Sequence, residues 1–205
     1  MSGPQVEIGG RFGRLYRLLD WPVRLAGLNL LWLAGVLAGG VVAGIAPSTV
    51  ALFAVLRDDL LGRPPRPWHD FWRCWRAEFA RSQVRLGLPL LTLWVFLFYL
   101  LAARGTPVVA AVAVLGVAYL VVLGYLPAVL AHFELPAVAA WRVAVLAAWR
   151  APLWTVGLAV GVVVPVAVMV FVVPAAIPFF LPSVPAVVVM RVALRVFGSL
   201  TGPVR

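Results

Sequence analysis

Long apolar runs, closed at both ends by arginine, dominate the sequence. The first covers residues 25–56, which carry no charge between Arg24 and Arg57. One bilayer crossing needs about 20 apolar residues, and two crossings need about 40. A glycine-rich stretch and Pro47 interrupt the run, so it predicts a full helix at 25–42, a break, and a short helix returning from Pro47.

Three further apolar runs follow the same pattern. Residues 86–103 and 108–131 predict two crossings joined by a turn at Arg104, and residues 151–190 are long enough for two more. Prolines at positions 174, 178, 182 and 185 place a turn in the middle of the last run. We therefore expect an all-α polytopic membrane bundle with five segments, or six if the short returns at 47–56 and 182–196 both cross fully.

Arginine and tryptophan alternate in the polar segments between these runs. Residues 57–85 predict a cytoplasmic loop with an amphipathic helix that begins at Pro67, and residues 135–150 predict a second interfacial helix. A similar pattern at 11–24, ended by Pro22, predicts an amphipathic helix on the membrane surface.

The helix beginning at Pro67 has two different faces. At 100° per residue, one stripe is aromatic and consists of Trp68, Phe71, Trp72, Trp75 and Phe79. This face predicts packing on the bundle or at the lipid interface. The alternative is that the basic residues dock a cytoplasmic partner; those residues are Arg63, Arg66, Arg73, Arg76 and Arg81.

Composition supports a membrane protein. Apolar residues make up 64% of the chain and charged residues 12%, whereas a soluble domain is nearer half apolar and a quarter charged. All 17 basic residues are arginines at the ends of apolar runs, so the net charge of +10 predicts orientation toward the cytoplasm and contact with the lipid bilayer, not nucleic-acid binding. We expect one membrane domain (1–205) in the bacterial inner membrane, with a flexible tail (1–10), both termini cytoplasmic, and only Arg104 outside.

Candidate chemistry is sparse. No catalytic constellation is visible, no cofactor motif is present, and His69 and His132 with a single cysteine, Cys74, are too few for a zinc site. His132 and Glu134 are expected at the inner membrane boundary. They are read either as a proton relay or as ordinary residues at headgroup level.

Polar residues within the first apolar run are the other candidates. Asn29 is read either as glue between helices or as a substrate contact. Pro47, Ser48 and Thr49 are expected to begin the returning helix, where the hydroxyls would either cap it or receive an anion or a sugar hydroxyl.

Three stretches of the chain resemble the YesL-like family, a bacterial membrane domain of unknown function. They are LNLLW at 28–32, APSTVALF at 46–53, and DFWR at 70–73 followed by EF at 78–79. Ala46 and Ser48 stand where the family's GPAT-like turn has Gly and Ala. The resemblance extends over about residues 15–103.

The resemblance implies an association with carbohydrate utilisation and with ABC-type sugar importers. It does not imply any particular reaction. We therefore expect an accessory membrane protein without chemistry of its own, partnered by an importer permease or ATPase subunit. The alternatives are a small independent transporter or flippase, and a structural assembly factor.

Overall fold

The computed structural model describes residues 11–63 and 66–201, with side chains from 21 to 63 and from 66 to 198. The predicted tail at 1–10 lies outside the described residues. Over the described ranges the chain is helical and contains no strand, as expected for an all-α fold. The helices are α1 (Arg11–Ala38), α2 (Val42–Leu60), α3 (Pro67–Ser82), α4 (Leu88–Ala102), α5 (Val108–His132), α6 (Ala137–Arg150), α7 (Pro152–Phe171), α8 (Ile177–Phe180) and α9 (Ser183–Thr201).

Helix α2 is the centre of the bundle. It packs against α1, α3, α5 and α9, and no residue from 43 to 60 is exposed. Its side chains Ala51, Leu52 and Leu56 meet core residues of α5 and α9, including Tyr125 and Met190. The predicted short return of the first hairpin is thus a 19-residue helix enclosed by protein.

The turn between α1 and α2 lies where the glycines predicted it. Gly40 and Val41 have φ angles of 68° and 66°, a left-handed conformation that a glycine adopts without strain and a valine rarely adopts. A Cβ at Gly39 or Gly44 would collide with backbone atoms of the facing helix. These two glycines therefore allow α1 and α2 to approach closely beside the turn.

The predicted start of the returning helix at Pro47 is wrong, because α2 begins at Val42 and contains Pro47. A proline inside a helix removes the amide that would donate to the carbonyl four residues earlier, here that of Ala43. The side chain of Gln83 replaces this donor, with Nε2 at 2.6 Å from the Ala43 oxygen. The side chain of Gln83 thus compensates for the backbone donor that Pro47 lacks.

The predicted break at Pro22 is also wrong, since α1 runs without interruption from Arg11 to Ala38. Beyond Pro22, Leu25 and Leu28 are buried in the core. Immediately before it, Trp21 lies under the guanidinium of Arg191 on α9, 5.1 Å from the ring centroid. Contacts on both sides of the proline hold the helix in one line. The side chains of the predicted amphipathic stretch up to residue 20 lie outside the described ones.

The polar segment and the next crossing form one helical run. Residues 57–60 of the predicted loop belong to α2, and α3 begins at Pro67 as predicted. A π-helical turn, Gln83–Gly87, then joins α3 to α4, with the Leu88 amide bonded to the Gln83 carbonyl. The junction before Pro89 is therefore a single π-helical turn, a local adjustment that helices adopt at such breaks.

The second half follows the predicted order of elements. Helix α5 continues past Pro127 to His132, and α6 occupies most of the predicted 135–150 segment. After α7 the chain breaks among the prolines, and the short run Pro174–Phe180 meets Ser183–Gly198 at an angle of 56°.

Four helical runs in the described part of the chain are long and apolar enough to cross a membrane, or five if the bent pair forms one span. They are Trp21–Ala38, Pro67–Ala102, Val108–His132 and Pro152–Phe171. The higher count equals the lower of the two predicted numbers, five and six. Helix α2 is not among these runs, because it carries Arg57, Asp58 and Asp59 in its last turns. The arrangement is compatible with a membrane protein.

We expect Gln83→Leu to lower the free energy of unfolding by about 1–3 kcal/mol, because the carbonyl of Ala43 loses its donor. In a Pro47→Ala background the helix supplies its own amide to that carbonyl, so the same change should cost less. Denaturant unfolding of the four proteins in mild detergent measures the coupling. An equal cost in both backgrounds would contradict this account.

Candidate functional site

The three stretches that carry the family resemblance meet around α2. Trp32 of the first stretch donates from Nε1 to Thr49 Oγ1 of the second, at 3.2 Å. Thr49 in turn donates to the Ile45 carbonyl at 2.7 Å. The hydroxyl of Thr49 therefore links α1 to α2 and does not cap a helix end.

Ser48 links α2 to the third stretch. Trp75 donates from Nε1 to Ser48 Oγ at 3.1 Å, and Ser48 is fully buried. A Cβ at Gly35 would lie 2.5 Å from Ser48 Oγ and 3.1 Å from the Phe71 ring. The glycine thus makes room for the contact of α1, α2 and α3. Both hydroxyls lie inside the helix, so the predicted helix N-terminus that would receive an anion is not formed there.

Asn29 links α1 to the broken segment near the C-terminus. Its side chain is fully buried, and Nδ2 donates to the Pro178 carbonyl at 2.5 Å. A buried amide at membrane depth normally joins helices, which agrees with the first of its two interpretations. Oδ1 of Asn29 accepts no hydrogen bond within the described part of the chain.

The aromatic stripe of α3 forms a continuous row of rings. Ring centroids lie 6.0 Å apart for Trp68 and Trp72, 5.4 Å for Trp72 and Trp75, and 4.9 Å for Trp75 and Phe79. Phe71 turns into the core and is fully buried. Trp72 and Trp75 are partly buried against the core, whereas Trp68 is exposed, so only part of the row packs on the bundle.

The five predicted docking arginines are all exposed, but they differ in their partners. Three form ion pairs within the chain: Arg63 with Asp58 at 3.7 Å, Arg73 with Asp70 at 3.2 Å, and Arg81 with Glu78 at 3.8 Å. Arg66 and Arg76 form no ion pair with another described residue. Because ion pairs at exposed sites contribute about 0–1 kcal/mol, all five remain available to a partner.

A polar cavity of about 210 Å³ lies between the end of α2, the first half of α3 and the end of α5. Two arginines of its wall, Arg57 and Arg73, face four carboxylates. The carboxylates are those of Asp58, Asp70, Glu78 and Glu134. The cavity thus gathers four of the seven acidic residues in a strongly basic chain.

Two residues whose roles the sequence left open line this cavity, namely Cys74 and His132. The buried Nδ1 of His132 has no partner among the described residues. His69 lies outside the cavity, with Nδ1 3.3 Å from the Asp70 carboxylate. No three His, Cys, Asp or Glu side chains are placed to hold a metal ion in the part of the chain that the structure describes. No local pattern in the sequence indicates that α2 and α5 form one cavity.

At the end of the bundle that contains this cavity, arginines connect neighbouring helices. Arg57 donates to the Ala131 carbonyl and to Asp58, which joins α2 to α5. Arg24 pairs with Asp59 at 2.5 Å, which joins α1 to α2. On α9, Arg195 lies 5.1 Å from the Trp154 ring centroid, as Arg191 does over Trp21. Helices α1, α2, α5, α7 and α9 thus meet at one arginine-rich end.

Comparison with known proteins gives one family. Residues 25–101 match the family described as "Protein of unknown function, DUF624". The uncharacterized protein YteU of Bacillus subtilis (strain 168) is 41% identical over 98 residues, 47% of this chain and 44% of that protein. The uncharacterized protein YesL of the same organism is 41% identical over 85 residues, 41% of this chain and 40% of that protein. No solved structure matches significantly.

The aligned region spans less than half the length of these curated relatives. The family match at residues 25–101 contains all three motif stretches and ends within α4. The predicted resemblance to the YesL-like family is confirmed over this part of the chain. Both relatives are uncharacterized, so they assign no activity to this protein.

We expect Thr49→Val to lower the free energy of unfolding by about 1 kcal/mol or more, because the Trp32 indole loses its acceptor. Thr92→Val is the matched control, since Thr92 also donates to the carbonyl four residues earlier but accepts from no side chain. Thermal unfolding of both variants in detergent measures the difference. Equal losses in the two variants would show that the Trp32 bond does not stabilise the fold.

Proposed function

We propose that this protein is an integral membrane protein of the bacterial inner membrane that accompanies carbohydrate uptake by docking onto an ABC-type sugar importer. The long apolar helical runs support the membrane placement. The resemblance to the YesL-like family supports the link to carbohydrate uptake. The protein contributes no chemistry of its own in this proposal.

The distribution of arginine supports the orientation. Arg24, Arg57, Arg191 and Arg195 lie at one end of the bundle, fastened to neighbouring helices there. Arg104 lies in the turn between α4 and α5. Short loops rich in arginine stay on the cytoplasmic side, so the arginine-rich end is assigned to the cytoplasm.

The outer face of α3 is the observation that carries the docking proposal. Phe71 is buried in the core, Trp75 donates to Ser48, and Gln83, directly after α3, donates to Ala43, so α3 lies along α2. The opposite face of α3 is therefore held in a fixed position. A rigid surface of tryptophan and arginine is the composition typical of the residues that dominate binding energy in interfaces.

Charge supports an acidic partner for this face. Arg66, Arg73, Arg76 and Arg81 are exposed on or beside it, whereas Asp70 and Glu78 are only partly exposed. A second copy of the same surface would oppose arginine to arginine, which is unfavourable. Acidic residues on an importer subunit would replace the weak ion pairs within the chain, and the association would weaken with salt.

A small independent transporter or flippase is the second candidate. The broken segment after α7, bonded to Asn29, and the polar cavity favour it, because discontinuous helices often line substrate sites. Purified protein in liposomes tests it. Movement of a sugar or a lipid without any partner would support the transporter, and absence of flux together with co-purifying importer subunits would support the accessory role.

We expect Arg76→Glu to reduce co-purification of the importer subunit from the native host at least about tenfold, as is typical for an interface hot spot. Arg76 is the most informative position to change, because its substitution breaks no ion pair among the described residues. The double change Arg73→Glu with Arg76→Glu should abolish co-purification while insertion into the membrane fraction is retained.

Arg104→Glu is the matched control for this experiment. It makes the same charge change at an exposed arginine in the α4–α5 turn and should leave co-purification unchanged. Undiminished recovery of the partner with Arg73 and Arg76 both reversed would refute docking through α3.

A further inference from the structure

An apolar groove of about 590 Å³ opens between α1, the end of α2 and the beginning of α3. On α1 it is lined from Arg24 to Ala34, two residues ten positions apart and therefore separated by about 15 Å along a helix. Half the thickness of a bilayer's hydrocarbon core is also about 15 Å. The groove thus has the length of one lipid chain in one leaflet.

The walls of the groove are apolar and its shape depends on a small residue. Leu28, Leu31 and Val55 form its floor, and the exposed ring of Trp68 stands at one side. A Cβ at Gly27 would meet nothing within 4 Å, so the space beside this glycine is open. A larger side chain at position 27 would fill the groove without disturbing the packing of α1.

The polar end of the groove carries one charge of each sign. Arg24 and Asp59 form an ion pair at 2.5 Å there, and their side chains remain 44% and 28% exposed. A guanidinium binds a phosphate, and a carboxylate accepts hydrogen bonds from an ammonium group. The pair is therefore complementary to a headgroup that contains both a phosphate and a primary ammonium.

We propose that this groove holds one acyl chain of a phosphatidylethanolamine molecule from the cytoplasmic leaflet, with its phosphate at Arg24 and its ammonium at Asp59. The proposal rests on the membrane placement above and not on the importer partner. A phosphatidylglycerol headgroup would satisfy Arg24 but would place no donor cation at Asp59. A choline headgroup carries a cation without N–H donors.

Native mass spectrometry of the full chain tests the proposal after reconstitution in bilayers with equal amounts of phosphatidylethanolamine, phosphatidylglycerol and phosphatidylcholine. We expect one retained phosphatidylethanolamine per chain, preferred at least about tenfold, since a hydrogen bond to a charged group changes affinity by roughly that factor. Equal retention of the three lipids would overturn the headgroup assignment.

Two variants test the apolar groove and its polar end separately. Gly27→Leu should remove the retained lipid, whereas Gly157→Leu, at a glycine of α7 whose Cβ would also meet nothing within 4 Å, should keep it. Asp59→Asn should keep a lipid but lose the preference for ethanolamine. Unchanged retention in Gly27→Leu would overturn the proposal.

Partner recovery distinguishes this proposal from the docking proposal. If Gly27→Leu lowers recovery of the importer subunit and leaves the lipid bound, the groove holds a partner segment and the lipid assignment is overturned. If Arg76→Glu leaves recovery of the importer subunit unchanged, only the docking proposal is contradicted. The lipid proposal is unaffected, because the lipid measurement uses the protein without a partner.

Discussion

A helix enclosed by protein must satisfy all of its polar groups without water, and α2 is under this constraint. Its sequence makes the constraint severe, because Pro47 removes an amide and Ser48 and Thr49 place hydroxyls in the interior. Gln83 supplies the missing donor, and the indoles of Trp75 and Trp32 donate to the two hydroxyls. Apolar packing is non-directional, whereas each of these bonds joins one donor to one acceptor. The register of α1 and α3 along α2 is therefore determined by hydrogen bonds.

This register decides where the charges of α3 lie. Because α3 is fixed along α2, its arginines stand beside helices whose outer faces expose Leu30 and Leu33 on α1 and Trp94 and Phe98 on α4. An arginine in contact with hydrocarbon costs several kcal/mol unless it reaches water, a headgroup or a polar partner. In a membrane, the arginines on the outer face of α3 would therefore need water, headgroups or a polar partner. The sequence left open whether the aromatic face of this helix packs on the bundle or at the lipid interface, and in the structure α3 packs on α2.

Local patterns predicted much of this fold, and long-range contacts account for what they missed. Charge-free runs located α5 and α7, and helical periodicity located α3 with its aromatic row, because these signals are carried by neighbouring residues. The predicted break at Pro47 was wrong because Gln83, distant in sequence, replaces the donor that the proline lacks. The predicted break at Pro22 was wrong as well, and α1 continues past this residue into the core. The pairing of α2 with α5 around His132 joins residues more than 70 positions apart, and no local pattern indicates it.

The residues that carry the family resemblance divide into two groups by position. Asn29, Trp32, Ser48, Thr49 and Phe71 are buried or partly buried and join helices to one another. The charged ones, Asp70, Arg73 and Glu78, all line the polar cavity instead. The family match therefore covers core residues and one wall of the cavity. The opposite wall, with His132 and Glu134, lies beyond the matched residues.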